Sequence, residues 1–345
     1  MNSKSSSWRS PSNIALVKYW GKYEPQLPAN PSLSFTLKES YTETKLEIQE
    51  EISEADFDFE VYLDYRKADN FKPKIEQFLK RIESELDFLK GHKFSIHTYN
   101  SFPHSSGIAS SASGMSALAL CLLSLSPEGQ KLSESEFYRK ASEWARLGSG
   151  SASRSLFGGL GLWGKTEGIA ESSDEYAIPY AGKVDPVFQD FKDTILLVEK
   201  GQKAVSSTAG HGLMNGHPFA QERFAQAHRN MASLQSILAK GDLEAFGELV
   251  ESEALTLHAM MMSSRPYFLL MKPNTLQIIE EIWNFRRETL KPLYFTLDAG
   301  ANVHLLYPAS IEQEALDFVN STIKGYLKNG EYICDQVGPG PTKLT

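Results

Sequence analysis

The run 100–125, NSFPHSSGIASSASGMSALALCLLSL, joins two kinds of residue. Ser105, Ser106, Gly107, Ala109, Ser110, Ser111, Ala112, Ser113 and Gly114 are small and mostly hydroxylated, and the stretch after them is apolar on every face of a helix. A helix of that second kind belongs in a core. A first turn of Gly, Ala and Ser leaves backbone N–H groups uncovered at the positive end of the helix dipole, which favours a phosphate. Taken alone, the same run also fits a Ser/Gly turn capping an ordinary core helix. A second small-residue segment, GSGSAS at 148–153, runs into Arg154, whose guanidinium fork suits a carboxylate or a phosphate. In 12–22, SNIALVKYWGK, Lys18 and Lys22 surround Tyr19 and Trp20 at the end of an extended run. By themselves these read as lysines in water on a surface strand. Asp298, in LDAGAN at 297–302, is either a turn residue or a carboxylate placed to take a proton.

Positioning these groups needs a frame. Residues 14–19 read as a short strand. In 27–37, Leu33, Phe35 and Leu37 alternate with Ser32, Ser34 and Thr36, the pattern of a half-buried strand with a hydroxyl-lined face. Segments 44–49 and 57–63 also alternate and are expected to pair antiparallel across the acidic loop 50–56. An amphipathic helix is expected over 71–89, with Pro73 in its first turn, and a strand over 93–98. Ser133 and Glu136 form a capping-box pattern ahead of a helix that ends in the 148–153 loop. Gly158 and Gly159 lead into a strand at 160–163, and the polar stretch 165–186 reads as a domain junction. Further strands are expected at 193–198, 293–297, 304–307 and 331–335, with a hydroxyl-rich loop at 203–212. Helices are expected at 218–239 and 242–262, after a cap at Asn274, and after caps at Ser310 and Gln313. Strands and helices alternate without a regular βαβ register, so the expected architecture is α+β in two lobes, 1–186 and 187–345.

The net charge is −8, and no run of basic residues exceeds two. That argues against nucleic acid or an anionic membrane surface as the main partner, and an anionic substrate then needs a locally basic pocket. Cys121 and Cys334 have no metal or redox spacing. With no apolar segment at the N-terminus and no run long enough to span a bilayer, the expected location is the cytoplasm.

Taken together, SNIALVKYWGK, the serine-rich loop through Ser113, GSGSASRSLFGG at 148–159, VSST at 205–208, LDAGAN and QVGPGP at 336–341 resemble the motif set of mevalonate diphosphate decarboxylases. Those enzymes belong to the superfamily of galactokinase, homoserine kinase, mevalonate kinase and phosphomevalonate kinase. The resemblance spans nearly the whole chain in the same order. It implies a nucleotide-binding N-terminal lobe like ribosomal protein S5 domain 2, a ferredoxin-like C-terminal lobe and an active site in the cleft between them. It also implies that ATP phosphorylates the 3-hydroxyl of mevalonate 5-diphosphate, and that the new phosphate then leaves with CO₂ to give isopentenyl diphosphate.

By the same resemblance Asp298, Lys18 and Arg154 are catalytic. Tyr19, Lys22, Ser149, Ser151, Arg154 and Ser207 bind substrate, while Asn100, Ser105, Ser106, Gly107, Ala109, Ser110 and Ser111 bind ATP. Mg²⁺ comes with the ATP phosphates, with Ser111 as a candidate ligand, and the assembly is a homodimer. The pattern departs at His104, Ser105 and Ser106, where the family more often has Thr-Ala-Ala, at Pro31 and Ala301, and at Gly210 and His211, where some relatives hold an arginine. A decarboxylase of the monophosphate, a 3-kinase that does not decarboxylate and a non-catalytic sensor are the competing readings. Acidic net charge and the intact Asp298, Lys18 and Arg154 weigh against the last two.

Overall fold

Two long strands carry the first half of the chain. β1 (Lys4–Val17) is followed by a small hairpin, β2 (Lys22–Tyr23) and β3 (Leu27–Pro28), and then by β4 (Ser32–Ile52). The computed structural model describes residues 4–52, 55–103, 108–200 and 207–345, with the backbone only at 50–52 and 207–209. β1 and β4 pair antiparallel from Lys4↔Ile48 to Val17↔Leu33, and the register slips after Pro11 and again after Ala15. Proline has no N–H for a ladder and sits in strands where pairing is already interrupted. Such slips bend a strand and re-aim its side chains. Here they lie just ahead of Lys18.

Of the expected strands at 14–19, 27–37 and 44–49, residues 14–17 belong to β1 and 32–37 and 44–49 to β4, both longer than expected, while 18–19 leave the sheet and 27–28 form β3. Hydroxyl-rich stretches that lack apolar alternation extend β1 and β4, because the sheet buries hydroxyls against the serine-rich helix. Ser10 Oγ lies 2.5 Å from Ser116 Oγ, Ser12 Oγ donates to Ile108 O at 2.6 Å, and Thr42 Oγ1 lies 2.7 Å from Ser113 Oγ. The hydroxyl face of β4 is likewise fully buried at Ser32, Ser34 and Thr36, not half-exposed.

β5 (Asp58–Leu63) does not pair with 44–49. After the short β6 (Arg66–Lys67) and α1 (Lys72–Arg81), the chain returns as β7 (His92–Asn100), which inserts between β4 and β5 and runs parallel to β5. The intervening helix supplies the crossover that a parallel pair requires. α1 is shorter than 71–89: the chain breaks at Ile82 into two 3₁₀ turns that still bury Leu86 and Leu89.

α2 (Ser110–Leu125) is buried along nearly its whole length against β1, β4 and α3 (Glu134–Gly148). α3 starts at the expected capping box, in which Ser133 N donates to Glu136 Oε2 at 2.9 Å. β8 (Leu160–Trp163) pairs with the start of β4, and β9 (Ala177–Pro179), inside the stretch read as a junction, pairs with β8.

The second half opens with β10 (Lys192–Leu196). The residues expected as a loop at 203–212 include α4 (Ser207–Gly212); 203–206 lie outside the described residues. Two long helices follow, α5 (Ala220–Lys240) and α6 (Leu243–Ser263), and then α7 (Pro273–Thr289), β11 (Tyr294–Leu297), β12 (Val303–Tyr307), α8 (Glu312–Phe318), β13 (Tyr332–Gln336) and β14 (Thr342–Lys343). Asn274 does not cap α7. Pro273 takes the first helical position, Lys272 is the cap, and the Asn274 amide donates to Tyr326 O at 2.8 Å. Neither Ser310 nor Gln313 caps α8, since a 3₁₀ turn at Ala309–Ile311 leads straight into it.

β11, β12, β10 and β13 form an antiparallel sheet in that order. One face buries Ile278, Ile279 and Ile282 of α7 with Phe318 of α8. The other face shares a core with the first sheet, in which Leu33 and Phe35 meet Phe188, Phe191, Phe246 and Leu306. The fold is α+β in two lobes, and no helix of the described residues is long and apolar enough to cross a membrane.

The C-terminal strap crosses back over the first lobe. Asp335 Oδ1 accepts the N–H groups of Lys38 and Glu39, each at 2.8 Å, Gly338 N donates to Thr36 O at 2.8 Å, and β14 pairs with β1. Gly338 passes so close to β4 that a Cβ on it would lie 2.5 Å from Lys38 Cα. Gly338→Ala is therefore expected to cost about 1–3 kcal/mol through overpacking, seen as a lower urea midpoint at unchanged slope. An unchanged midpoint would mean that the strap can shift to admit the methyl.

Candidate active site

A cavity of about 610 Å³ opens where the lobes meet. Its lining includes Lys18, Tyr19, Lys22, Asn100, Ala109, Ser110, Ser111, Ser149, Ser151, Arg154 and Asp298, so every described candidate except Ser207 stands in one place. Ser105, Ser106, Gly107 and His104 lie outside the described residues, as does the side chain of Ser207.

One end of the cavity is formed by the first sheet and α2. Val61, Leu63, Ile96, Met115 and Leu118 give it apolar walls, and Thr42, Thr98 and Asn100 stand at the edge. Thr42 Oγ1 donates to Asn100 Oδ1 at 2.6 Å, which fixes the amide. No side chain caps α2: Ala109 enters it in the left-handed conformation (φ 47°), and Ser110, Ser111 and Gly114 face the cavity. The two small-residue segments meet there, with Ser111 Oγ 3.4 Å from Ser149 Oγ. The second segment is not an open loop. After Ser149 it winds into a 3₁₀ turn, Gly150–Leu156, most of it buried. A Cβ on Gly150 would fall 2.7 Å from the Trp163 ring and 2.8 Å from the Tyr19 hydroxyl, so only glycine fits.

That turn buries Arg154 to 2% exposure. Its Nη1 donates to Ser32 Oγ at 2.6 Å, its Nε to Ser34 Oγ at 3.0 Å and its Nη2 to Asn13 Oδ1 at 3.3 Å. Ser32 and Ser34 had a legible signal only as a hydroxyl face on a strand and Asn13 had none as a partner; nothing in the sequence paired them with Arg154. Lys18 is 1% exposed, and its Nζ has no hydrogen-bond partner among the described residues. Burial lowers its pKa to about 8, while the carboxylates of Asp298, Glu253 and Asp193 pull it upward. Burial likewise lowers Arg154 to about 10, and Asp298 opposes it. Asp298 follows β11, and its carbonyl accepts from His258 Nε2 at 3.1 Å. Lys22 Nζ donates to Gln26 Oε1 and lies 3.5 Å from Glu24.

His211 is a further part of the wall. Its Nδ1 accepts from Gly21 N–H at 3.0 Å, and its ring packs at a tilt against Tyr19 and Trp20, with centroids 4.1 and 4.8 Å away. Burial, helped by Lys22, drops its pKa to about 3. It is a neutral wall with Nε2–H as donor, not a cation. Among the described residues, no three His, Cys, Asp or Glu side chains are grouped to hold a metal ion. A metal entering here would need oxygen atoms from an anionic ligand, which suits a hard cation carried on phosphates.

Residues 10–177 match the model of the diphosphomevalonate decarboxylase-like N-terminal domain, and 194–341 match that of the mevalonate 5-diphosphate decarboxylase C-terminal domain. The chain is 30% identical over 329 residues to diphosphomevalonate decarboxylase of Saccharomyces cerevisiae, covering 90% of this chain and 79% of that one. It belongs to the diphosphomevalonate decarboxylase family. The Ganoderma lucidum member is also 30% identical, over 90% of this chain and 80% of its own. Among solved structures, the mevalonate diphosphate decarboxylase of Staphylococcus aureus superposes with a TM-score of 0.85 at 28% identity, covering 100% of this chain and 99% of that one. MDDEF in complex with MVAPP, AMPPCP and magnesium gives the same TM-score, 0.85, at 28% identity over 99% of both chains.

The buried His211, with its pKa near 3, stays neutral when the same residue in the unfolded chain, near 6.5, takes up a proton. The unfolded state then binds more protons across that window, so His211 makes stability fall as pH drops below about 6.5. In ¹⁵N-resolved NMR, the His211 ring is expected as the Nε2–H tautomer with no titration from about pH 7 down to 5. A midpoint near 6.5 would contradict its placement between Tyr19 and Trp20.

Proposed function

We propose that this chain converts mevalonate 5-diphosphate and ATP into isopentenyl diphosphate, ADP, phosphate and CO₂. The observation that carries the reading is a single cavity in which Asp298 faces Lys18 and Arg154, beside the uncapped end of α2. The lobes divide near residue 186, ahead of β10.

A tertiary alcohol is a weak nucleophile and needs a base as the phosphoryl group arrives. Asp298 takes the proton of the 3-hydroxyl, and the oxygen forms its bond to the terminal phosphorus of ATP. Lys18 sets its ammonium toward Asp298 and the transferred group. Phosphorylation turns the hydroxyl oxygen into a leaving group. The C3–O bond then breaks, positive charge builds at C3, and the electrons of the C1–C2 bond become the C2–C3 double bond as CO₂ departs. Arg154, held by Ser32, Ser34 and Asn13, orients the C1 carboxylate along that path. Tyr19, Lys22, Ser149 and Ser151 receive the diphosphate, and Ser207 takes a substrate hydroxyl.

Asn100 stands by the base of the nucleotide, and Ala109, Ser110 and Ser111 receive its phosphates together with Ser105, Ser106 and Gly107. Mg²⁺ fits this donor set on phosphate oxygens with the Ser111 hydroxyl, and when bound it neutralises phosphoryl charge.

The test is to measure ADP, CO₂ and isopentenyl diphosphate with the diphosphate and the monophosphate of mevalonate. Equal amounts of all three products from the diphosphate support the reading, whereas ADP without CO₂ would make the chain a 3-kinase. Asp298→Asn is expected to lower kcat by roughly 10²–10⁴ for ADP and CO₂ alike. Arg154→Gln is expected to lose roughly 10²–10³. Because Lys18 in the unliganded site is charged only below its pKa of about 8, kcat/KM should fall as pH rises through that value. A kcat/KM that stays level to about one pH unit above it would remove Lys18 from the mechanism.

A further inference from the structure

Lys18 lies beyond the end of β1, where the sheet offers its peptide no partner. Its backbone is held by side chains instead. Glu253 Oε2 accepts the Lys18 N–H at 2.8 Å, while Arg223 Nη2 at 3.2 Å and Asn30 Nδ2 at 3.0 Å donate to the Lys18 carbonyl. Arg223 and Glu253 are themselves an ion pair at 2.6 Å, with both side chains at 0% exposure. Arg223 Nη1 also reaches Glu253 Oε1 at 3.0 Å, and Asn230, one α5 face along, donates to the same oxygen at 2.6 Å.

We propose that the Arg223–Glu253 pair is the positioning device for Lys18, gripping its peptide from both sides so that the ammonium is presented to Asp298. This rests on the functional reading above. As a mere staple between α5 and α6 the arrangement would be a poor choice, because apolar side chains of similar volume serve a buried helix contact as well as or better than an ion pair. What apolar side chains cannot do is satisfy a peptide that has left its strand. α6 is the common frame: Glu253 holds Lys18, and His258 on the same helix donates to the Asp298 carbonyl at 3.1 Å. Base and cation are thereby set against one rigid element, although they come from opposite ends of the chain.

The pair has an electrical role as well. The charged groups that act on the Lys18 ammonium are Asp298 after β11, Glu253 on α6, Asp193 on β10 and Arg154 in the turn after α3. Arg223 on α5 meets its carbonyl. Removing the Glu253 charge takes away an attraction that favours the ammonium, so Lys18 should lose its proton at lower pH.

Two substitutions separate reach from charge. Glu253→Gln keeps an acceptor for the Lys18 N–H and loses the charge. Glu253→Asp keeps the charge and withdraws it by one methylene. Rates of ADP and CO₂ formation are measured from mevalonate 5-diphosphate and ATP over roughly pH 6 to 9. Glu253→Gln should move the alkaline limb of kcat/KM down by roughly one pH unit, with KM for both substrates within about twofold. Glu253→Asp should leave the limb in place and lower kcat roughly ten- to a hundredfold at unchanged KM, the cost of a misplaced group.

A limb unmoved in Glu253→Gln, or losses confined to KM and thermal midpoint, would overturn the proposal. Should Glu253→Gln not fold, Glu253→Asp decides alone, and a kcat within about twofold of the unsubstituted chain would sink it. Failure of the unsubstituted chain to release CO₂ would overturn the functional reading and this proposal with it. A working parent with indifferent variants would overturn only the proposal.

Discussion

Buried positive charge without a paired negative one is the constraint around which this molecule is arranged. Lys18 and Arg154 are almost fully enclosed, and neither makes an ion pair among the described residues. Burying an unpaired charge is costly, and the lowered pKa values of both groups are its signature. The cost is partly offset by carboxylates acting across the cavity, Asp298 first among them. Elsewhere the fully buried Arg223 is paired directly with Glu253 and the half-buried Arg286 with Glu251 at 2.7 Å, while the buried Arg146 donates to the carbonyls of Glu175 and Pro25, each at 2.6 Å. Leaving two cations unpaired in one cavity makes sense for a site that receives polyanions and stabilises charge in a transition state, since preoriented dipoles and charges there need no reorganisation.

Holding such a site open requires rigid walls, and the walls come from a core that both lobes share. Phe191 and Phe246 meet edge to face at 5.2 Å, Phe35 joins Phe191 at 5.9 Å, and Phe188 joins Phe246 at 4.9 Å. Each buried phenylalanine contributes about 1.5–3 kcal/mol, so the lobes are fused through apolar contact and not merely hinged. The C-terminal strap adds backbone hydrogen bonds to β4 on the same side. The slips in β1 and β4 spend regular pairing to aim Asn13 and the chain leading to Lys18 at the cavity.

His211 belongs to this arrangement although it carries no charge. At the position where the motif pattern departs, a neutral ring packs between Tyr19 and Trp20 and offers one N–H to the cavity. It therefore contributes a shape and a donor to the cavity wall, while positive charge in the cavity rests with Lys22 and the deeper cations.

Much of this was legible in the residues themselves. Small residues ahead of an apolar helix marked α2, the Ser133 and Glu136 pair marked the start of α3, and KYWGK, GSGSASRSLFGG and LDAGAN identified the chemistry, because each is a local pattern set by turn geometry, capping or ligand shape. Some local expectations failed, since Asn274, Ser310 and Gln313 cap no helix, but the larger failures were non-local. The parallel pairing of β5 with β7 depends on which strand inserts beside which, and alternation within a segment carries no information about its neighbour. The grip of Arg223 and Glu253 on Lys18 joins residues more than two hundred positions apart, and the hydroxyls that cradle Arg154 come from β4. The chain's own order of residues determined the family and most of the element types, and it singled out the candidate reacting groups. Only the folded molecule decided which charges are buried, which are paired and which face the cavity, because desolvation and hydrogen bonding are properties of surroundings that do not exist until the two lobes have closed on one another.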